Sequence, residues 1–183
     1  MASKSDNKST AAFDAFRAAH ALKAMPPERV ANADQCRQMT EADGLRLWQD
    51  GSVDGGESQP KSAPPALTAE NDADKMLWVV RNVDVPYAAE TCPFGRQLKS
   101  RAIKHSNLTG GEPAFCGGEL LILNEHTIVI SGRSGRYGPG SVEELAAVAK
   151  AFRASGYHVW CMGYDSEVGY PLPFVGSIPS WVV

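Results

Sequence analysis

The sequence predicts an α+β fold: a small, mostly antiparallel sheet with one main helix packed across it, preceded by a helical N-terminal extension. Met76-Leu-Trp-Val-Val80 is an apolar run of strand length. Leu120-Leu-Ile-Leu123 and the β-branched Thr127-Ile-Val-Ile130 flank Asn124-Glu125-His126, a short hairpin turn. Strands joined so closely argue against a doubly wound parallel sheet. Ser141-Val-Glu-Glu144 reads as a capping box heading a segment with Leu145, Val148, Ala149 and Phe152 on one helical face.

Taken in order, residues 1–9 are polar and read as disordered. Ser9 to Met25 is Ala-rich, with Phe13, Phe16, Ala19 and Leu22 at helical spacing and His20 on the same helix; Pro26-Pro27 ends it. A second helix is expected from Glu28 through Trp48. Gly51 to Asp74 has linker composition, rich in Gly, Ser, Pro and acidic residues. The expected division is therefore a helical extension over 1–50, a linker over 51–74 and a functional α+β domain over 75–183. The extension docks on that domain, binds a chaperone or immunity protein, or stays loose. The capped helix runs to about Ala154 with Gly156 as its stop. Tyr157 to Met162 is the next strand, and the proline-rich end is an irregular wrap closing in Trp181-Val-Val183.

Composition narrows the function classes. The hydrophobic fraction of 43% supports a packed core. Residues 1–74 hold eight Lys and Arg against twelve Asp and Glu, and residues 75–183 hold ten against nine. Neither part is basic enough to demand nucleic acid, so any nucleic-acid partner would meet a local patch. Cys36, Cys92, Cys116 and Cys161 lack the spacing of zinc or redox motifs, and the four His show no ligand pattern, so no metal is expected. No apolar run approaches the ~18 residues of a membrane span, and no membrane partner is expected. The polar start has no apolar core and is not a Sec signal peptide. A soluble chain is expected, in a bacterial cytoplasm or delivered into a target cell; Ser/Asn/Lys-rich starts also occur on bacterial effectors.

Three segments carry polar and glycine residues that packing alone does not require. Ser131-Gly-Arg-Ser-Gly-Arg-Tyr-Gly-Pro139 follows a strand and precedes the capped helix. Its glycines at 132, 135 and 138 permit positive φ and grouped backbone N–H donors, while Arg133 and Arg136 add charge and Ser141 opens a helix N-terminus. Ser134, Gly135 and Tyr137 belong to the same loop, which suits a phosphate-bearing ligand or a surface connection; Tyr137 either stacks on a ring or packs. Lys104, His105 and Ser106 form the second group. Arg96, Lys99, Arg101 and Lys104 are expected to lower the His105 pKa and attract anions. Glu119 follows Cys116-Gly-Gly118 into an apolar strand and is expected at an edge or opposite Arg133 or Arg136.

His105-Ser-Asn-Leu-Thr-Gly-Gly111, Gly117-Gly-Glu-Leu120 and Ser134-Gly-Arg-Tyr-Gly-Pro139 together resemble a module of plant calmodulin-binding IQ-motif proteins and of uncharacterised bacterial toxin-like proteins. The resemblance covers about Trp78 to Asp165. It implies that His105, Ser134, Arg136 and Tyr137 share one site. Arg136 stands where the plant signature has His, and no IQ motif occurs, so calmodulin binding does not carry over.

Three functions are expected in competition. The first is a bacterial effector or toxin-type NAD-dependent ADP-ribosyltransferase modifying a host or target-cell protein. Arg133 or Arg136 would hold the diphosphate, Tyr137 would face the nicotinamide, Glu119 would activate the acceptor and His105 would orient the ribose. The second is a metal-independent ribonuclease using Glu119, His105 and the arginines. The third is a non-catalytic module recognising a nucleotide or protein.

Overall fold

A computed structural model describes residues 11–26, 28, 33–55 and 58–183. The expectation for residues 1–9 lies outside them. Ala11–Phe13 is a 3-10 turn leading into α1 (Asp14–Ala19). The predicted first helix is thus present but short. Beyond His20 the chain is extended, and Lys23 exchanges backbone hydrogen bonds with Ala114 at 2.7 and 3.0 Å.

The helix expected over 28–48 is corrected for its described part. Residues 33–48 hold 3-10 turns at Ala33–Cys36 and Glu41–Asp43, then a short strand, β1 (Arg46–Leu47). Thr40 and Asp43 cap each other, and Gly44 follows at φ 102°, so the turn closes after three residues. The segment expected as linker carries α2 (Ala69–Ala73), N-capped by Thr68. Its beginning is tied to the far end of the main helix: Gly51 N donates to Ser155 O at 2.7 Å and Val53 N to Gly156 O at 2.9 Å.

The fold is α+β, as expected. The other strands are β2 (Met76–Val80), β3 (Pro86–Ala89), β4 (Cys116–Asn124), β5 (Thr127–Ser131), β6 (His158–Cys161) and β9 (Ser180–Trp181). With β1 they form a seven-stranded sheet ordered β1-β3-β2-β4-β5-β6-β9. A separate pair joins β7 (Tyr164–Asp165) to β8 (Tyr170–Pro171). Sheet pairings are antiparallel except β5 with β6, which are parallel because the main helix, α5 (Val142–Ala154), connects them. Two one-turn helices, α3 (Pro93–Gln97) and α4 (His105–Thr109), lie between β3 and β4.

Both sheet faces are covered, which explains why the strands read as continuous apolar runs. Trp78, Val80, Leu120, Ile128, Ile130 and Val159 pack under α5 with Phe13, Phe16 and Trp48. On the opposite face Leu77 and Val79 meet Phe94, Ile103, Leu108 and Tyr137, while Val129 and Trp160 meet Phe174. Phe152 of α5 is the hub of the first layer. Its ring meets Phe13, Trp48 and Trp78 edge-on at 5.0, 5.2 and 5.1 Å. Such pairs add about 0.5–1.5 kcal/mol each beyond burial.

The capping box at 141–144 is half present. Ser141 Oγ accepts from Glu144 N at 3.1 Å, but the Glu144 carboxylate takes Gly140 N at 2.6 Å instead of the N-cap N–H. Its other oxygen is drawn away by the ammonium of Lys23.

Phe13 is wholly buried. Phe13→Ala in the full chain should lower stability by about 3 kcal/mol in urea unfolding, the usual loss for an enclosed phenyl ring. A loss under about 1 kcal/mol would mean that residues 11–19 contribute little to the core.

Candidate functional site

β4 makes the site possible. At Gly117 a Cβ would lie 3.2 Å from both His105 Cδ2 and Tyr137 Cβ, and at Gly118 it would lie 2.6 Å from the Trp78 indole. Bare backbone here lets an indole close on one side and an imidazole on the other. His105, the first residue of α4, is 6% exposed, and its Nε2 lies 2.8 Å from Gly118 O. A carbonyl only accepts, so Nε2 carries the proton in the neutral ring and Nδ1 is left as an acceptor. Asn107 Oδ1 accepts from Lys104 N at 2.7 Å and fixes the start of this short helix.

The next residue on the strand, Glu119, pairs in register with Leu77 and Ser131. Its side chain therefore stands on the face away from α5, in a cavity of about 170 Å³. Lys104 and His105 at the start of α4, Arg133, Ser134, Gly135 and Arg136 of the 131–140 loop, Glu90 after β3 and Tyr170 of β8 complete most of its wall. Seven of the nine expected site residues are thus gathered. Tyr137 and Ser106 are not. Tyr137 is fully buried, with its hydroxyl 2.9 Å from Thr109 Oγ1 and donating to Glu112 O at 2.8 Å. Ser106 is also fully buried and donates to Gln35 O. Both hold the site's frame.

The loop works differently from expectation. Gly132, Gly135 and Gly138 do not adopt positive φ. Ser134 Oγ accepts from Arg136 N and Tyr137 N at 3.3 and 3.1 Å, so those donors serve the turn itself. Gly140 N goes to Glu144, and the α5 N-terminus does not line the cavity. Cationic character comes instead from side chains. The Arg133 guanidinium lies 5.5 Å from the Tyr170 ring centre. Arg136 Nη2 is held by Gln35 Oε1.

Burial takes the His105 pKa down to about 4; Gly118 O opposes this, while Arg136 and Lys104 add to it. The upstream basic residues are not its main cause, contrary to expectation. The Glu119 carboxyl moves the other way. Burial pushes it from 4.5 up to about 7, Lys75 and Arg133 pull it back, and Glu90 and Asp72 reinforce the rise. The cavity therefore offers cations for an anionic ligand, a neutral imidazole, and a carboxyl that exchanges its proton near neutrality.

Sequence reasoning missed Lys75, Glu90, Tyr170 and Gln35. None sits in a motif; Lys75 and Glu90 flank β2 and β3, and only the register shows that they meet Glu119. A larger apolar groove of about 270 Å³ runs between α5 and the C-terminal strand, lined by Leu145, Cys161 and Trp181 among others. Lys150 is the charged side chain among its lining residues. Among the described residues no helix is long and apolar enough to cross a membrane. Compared with protein-family models, curated proteins and solved structures, the chain matches none.

Between pH 4.5 and about 7 the native state keeps a proton on Glu119 that the unfolded chain releases. This group's contribution to stability therefore falls as pH rises through that window. Glu119→Gln should remove the fall, so the variant's stability relative to wild type should grow by ~2–3 kcal/mol between pH 5 and pH 8. A difference independent of pH in paired urea titrations would show that Glu119 titrates normally.

Proposed function

We propose that the cavity binds the phosphate-bearing part of NAD and that the chain transfers ADP-ribose to an acceptor, with Glu119 taking the acceptor's proton. The observation that carries this reading is the pairing of groups around one small space. A carboxyl poised near pH 7 shares it with Arg133, Arg136 and Lys104, whereas His105 is neutral with its N–H committed to Gly118 O.

The charge balance of the reaction suits that set. The glycosidic C1′–N bond breaks, and nicotinamide leaves with the electron pair as a neutral molecule that needs no proton donor. The acceptor's nucleophilic atom bonds to C1′, and its proton passes to Glu119. The guanidinium groups offset the diphosphate charge. Tyr170, at the wall beneath Arg133, takes the ring-facing role first expected of Tyr137. In this reading the chain is an effector- or toxin-like module, and the acceptor is a protein of a host or target cell.

The small volume favours a second reading, a ribonuclease, because a single phosphate and its sugar fill about 170 Å³. That chemistry needs a donor for the departing 5′-oxygen, and His105, at about 4, is a poor one at neutral pH.

The deciding measurement is the thermal midpoint of the full chain with saturating NAD, RNA oligonucleotide or neither. NAD at about a hundred times its Kd should raise the midpoint by roughly 5 °C or more. Arg133→Ala should reduce that rise, and Glu119→Gln should keep it while slowing nicotinamide release by at least ~100-fold. A midpoint unmoved by NAD, with RNA cleaved, would replace this reading by the ribonuclease. A shift with full activity in Glu119→Gln would remove the catalytic role.

A further inference from the structure

Lys75 stands directly before β2, behind the cavity wall rather than in it. Its ammonium lies 3.3 and 3.4 Å from the two Asp72 oxygens, 3.6 Å from Glu90 Oε2 and 3.7 Å from Glu119 Oε1. The backbone holds it there from both sides. Lys75 N donates to Asp72 O at 3.4 Å, and Lys75 O accepts from Glu90 N at 3.2 Å. Met76, one residue on, pairs with Ala89 and Leu120, so the Lys75 backbone lies two residues along β2 from Leu77, the partner of Glu119, and the side chain spans that step.

We propose that Lys75 is the positioning residue of Glu119, with Asp72 and Glu90 anchoring its ammonium against the carboxyl from behind the cavity. This role rests on the reading of Glu119 as a proton acceptor, whereas the charge cluster stands on geometry alone. Three carboxylates around one ammonium are anionic in excess, so the cluster keeps a proton on its most enclosed member. Side-chain exposure is 14% for Glu119, 28% for Glu90 and 40% for Asp72, which assigns that proton to Glu119. Arg133 acts on the carboxyl from the loop, and Lys104, His105, Arg136 and Tyr170 complete the charged and titratable lining of the cavity.

Lys75 keeps Glu119 able to lose its proton near neutrality. Without the ammonium, burial and two neighbouring carboxylates would hold the proton on Glu119 into the alkaline range, where it could not accept one from a nucleophile. Asp72 belongs to α2, in the stretch whose composition reads as linker, so the site's electrostatics reach beyond the segment that contains its lining.

The test is a titration of the full chain carrying ¹³C-labelled glutamate, following the side-chain carboxyl signal that Glu119→Gln removes. Lys75→Met should raise the Glu119 midpoint by about one pH unit or more, and Lys75→Arg should bring it back toward the wild-type value. Asp72→Asn, at a more exposed position, should lower it by leaving the ammonium more fully on Glu119. Should Lys75→Met fail to fold, Asp72→Asn decides by itself. A Glu119 midpoint unchanged in the folded variants overturns the proposal. The titration needs no NAD. Failure of NAD to bind therefore removes the proposed reaction without touching this result, and an unmoved midpoint removes the role of Lys75 without touching NAD binding.

Discussion

Everything around the site depends on how closely side chains approach the backbone of β4. Gly117 and Gly118 leave the middle of the sheet without side chains. The Trp78 indole closes over one side, with its N–H on Glu119 O at 2.9 Å, and the His105 ring closes over the other. These contacts seat α4 against the sheet and bring the loop through Tyr137 up to the strand, where Gly117 N donates to Tyr137 O at 2.8 Å. A side chain at either glycine would meet atoms of the core rather than solvent, so the strand would have to shift. The position of Glu119, one residue further on, follows from that packing.

The cavity is divided electrostatically. Lys104, Arg133 and Arg136 occupy the α4 and loop side, whereas Glu90 and Glu119 occupy the sheet side with Lys75 behind them. The guanidinium groups do not face ionised carboxylates across the whole space, because Glu119 is partly protonated near neutral pH. His105 contributes shape and an acceptor nitrogen, since burial removes its charge over the same range.

The parts of this arrangement legible in the sequence were those set by local chemistry. Apolar runs gave β2, β4 and β5, and the helical spacing of Leu145, Val148 and Phe152 gave α5. The three polar segments stand out by composition, and seven of the nine residues selected from them line one cavity. What escaped was decided by tertiary packing. Tyr137 looks like a ligand-facing aromatic among glycines, yet Thr109 and the Glu112 carbonyl provide partners for its hydroxyl inside the core. Residues 33–48 have helix-compatible composition, yet Asn107 Nδ2 donates to the carbonyls of Asp34 and Arg37 at 3.2 and 2.8 Å. Both carbonyls are thus tied to α4, and Asp34 O otherwise closes only the short turn to Arg37 N at 3.4 Å. Lys75 and Glu90 carry no motif at all; antiparallel register pairs β3 with β2 and β2 with β4, and this brings the Lys75 ammonium between Glu90 and Glu119.

Phe13, Phe16 and Trp48 help to close the α5 side of the sheet, and Met25, Met39 and Leu45 the other. This has a consequence in time. A chain made from its N-terminus at ~5–20 residues per second leaves Phe13 without Phe152 for on the order of 10 s. Phe13 and Phe16 are thus made well before the α5 side chains that enclose them. Contacts so distant in sequence favour slow, late closure over early local collapse. The layer under α5 is therefore expected to close only after Phe152 has been made.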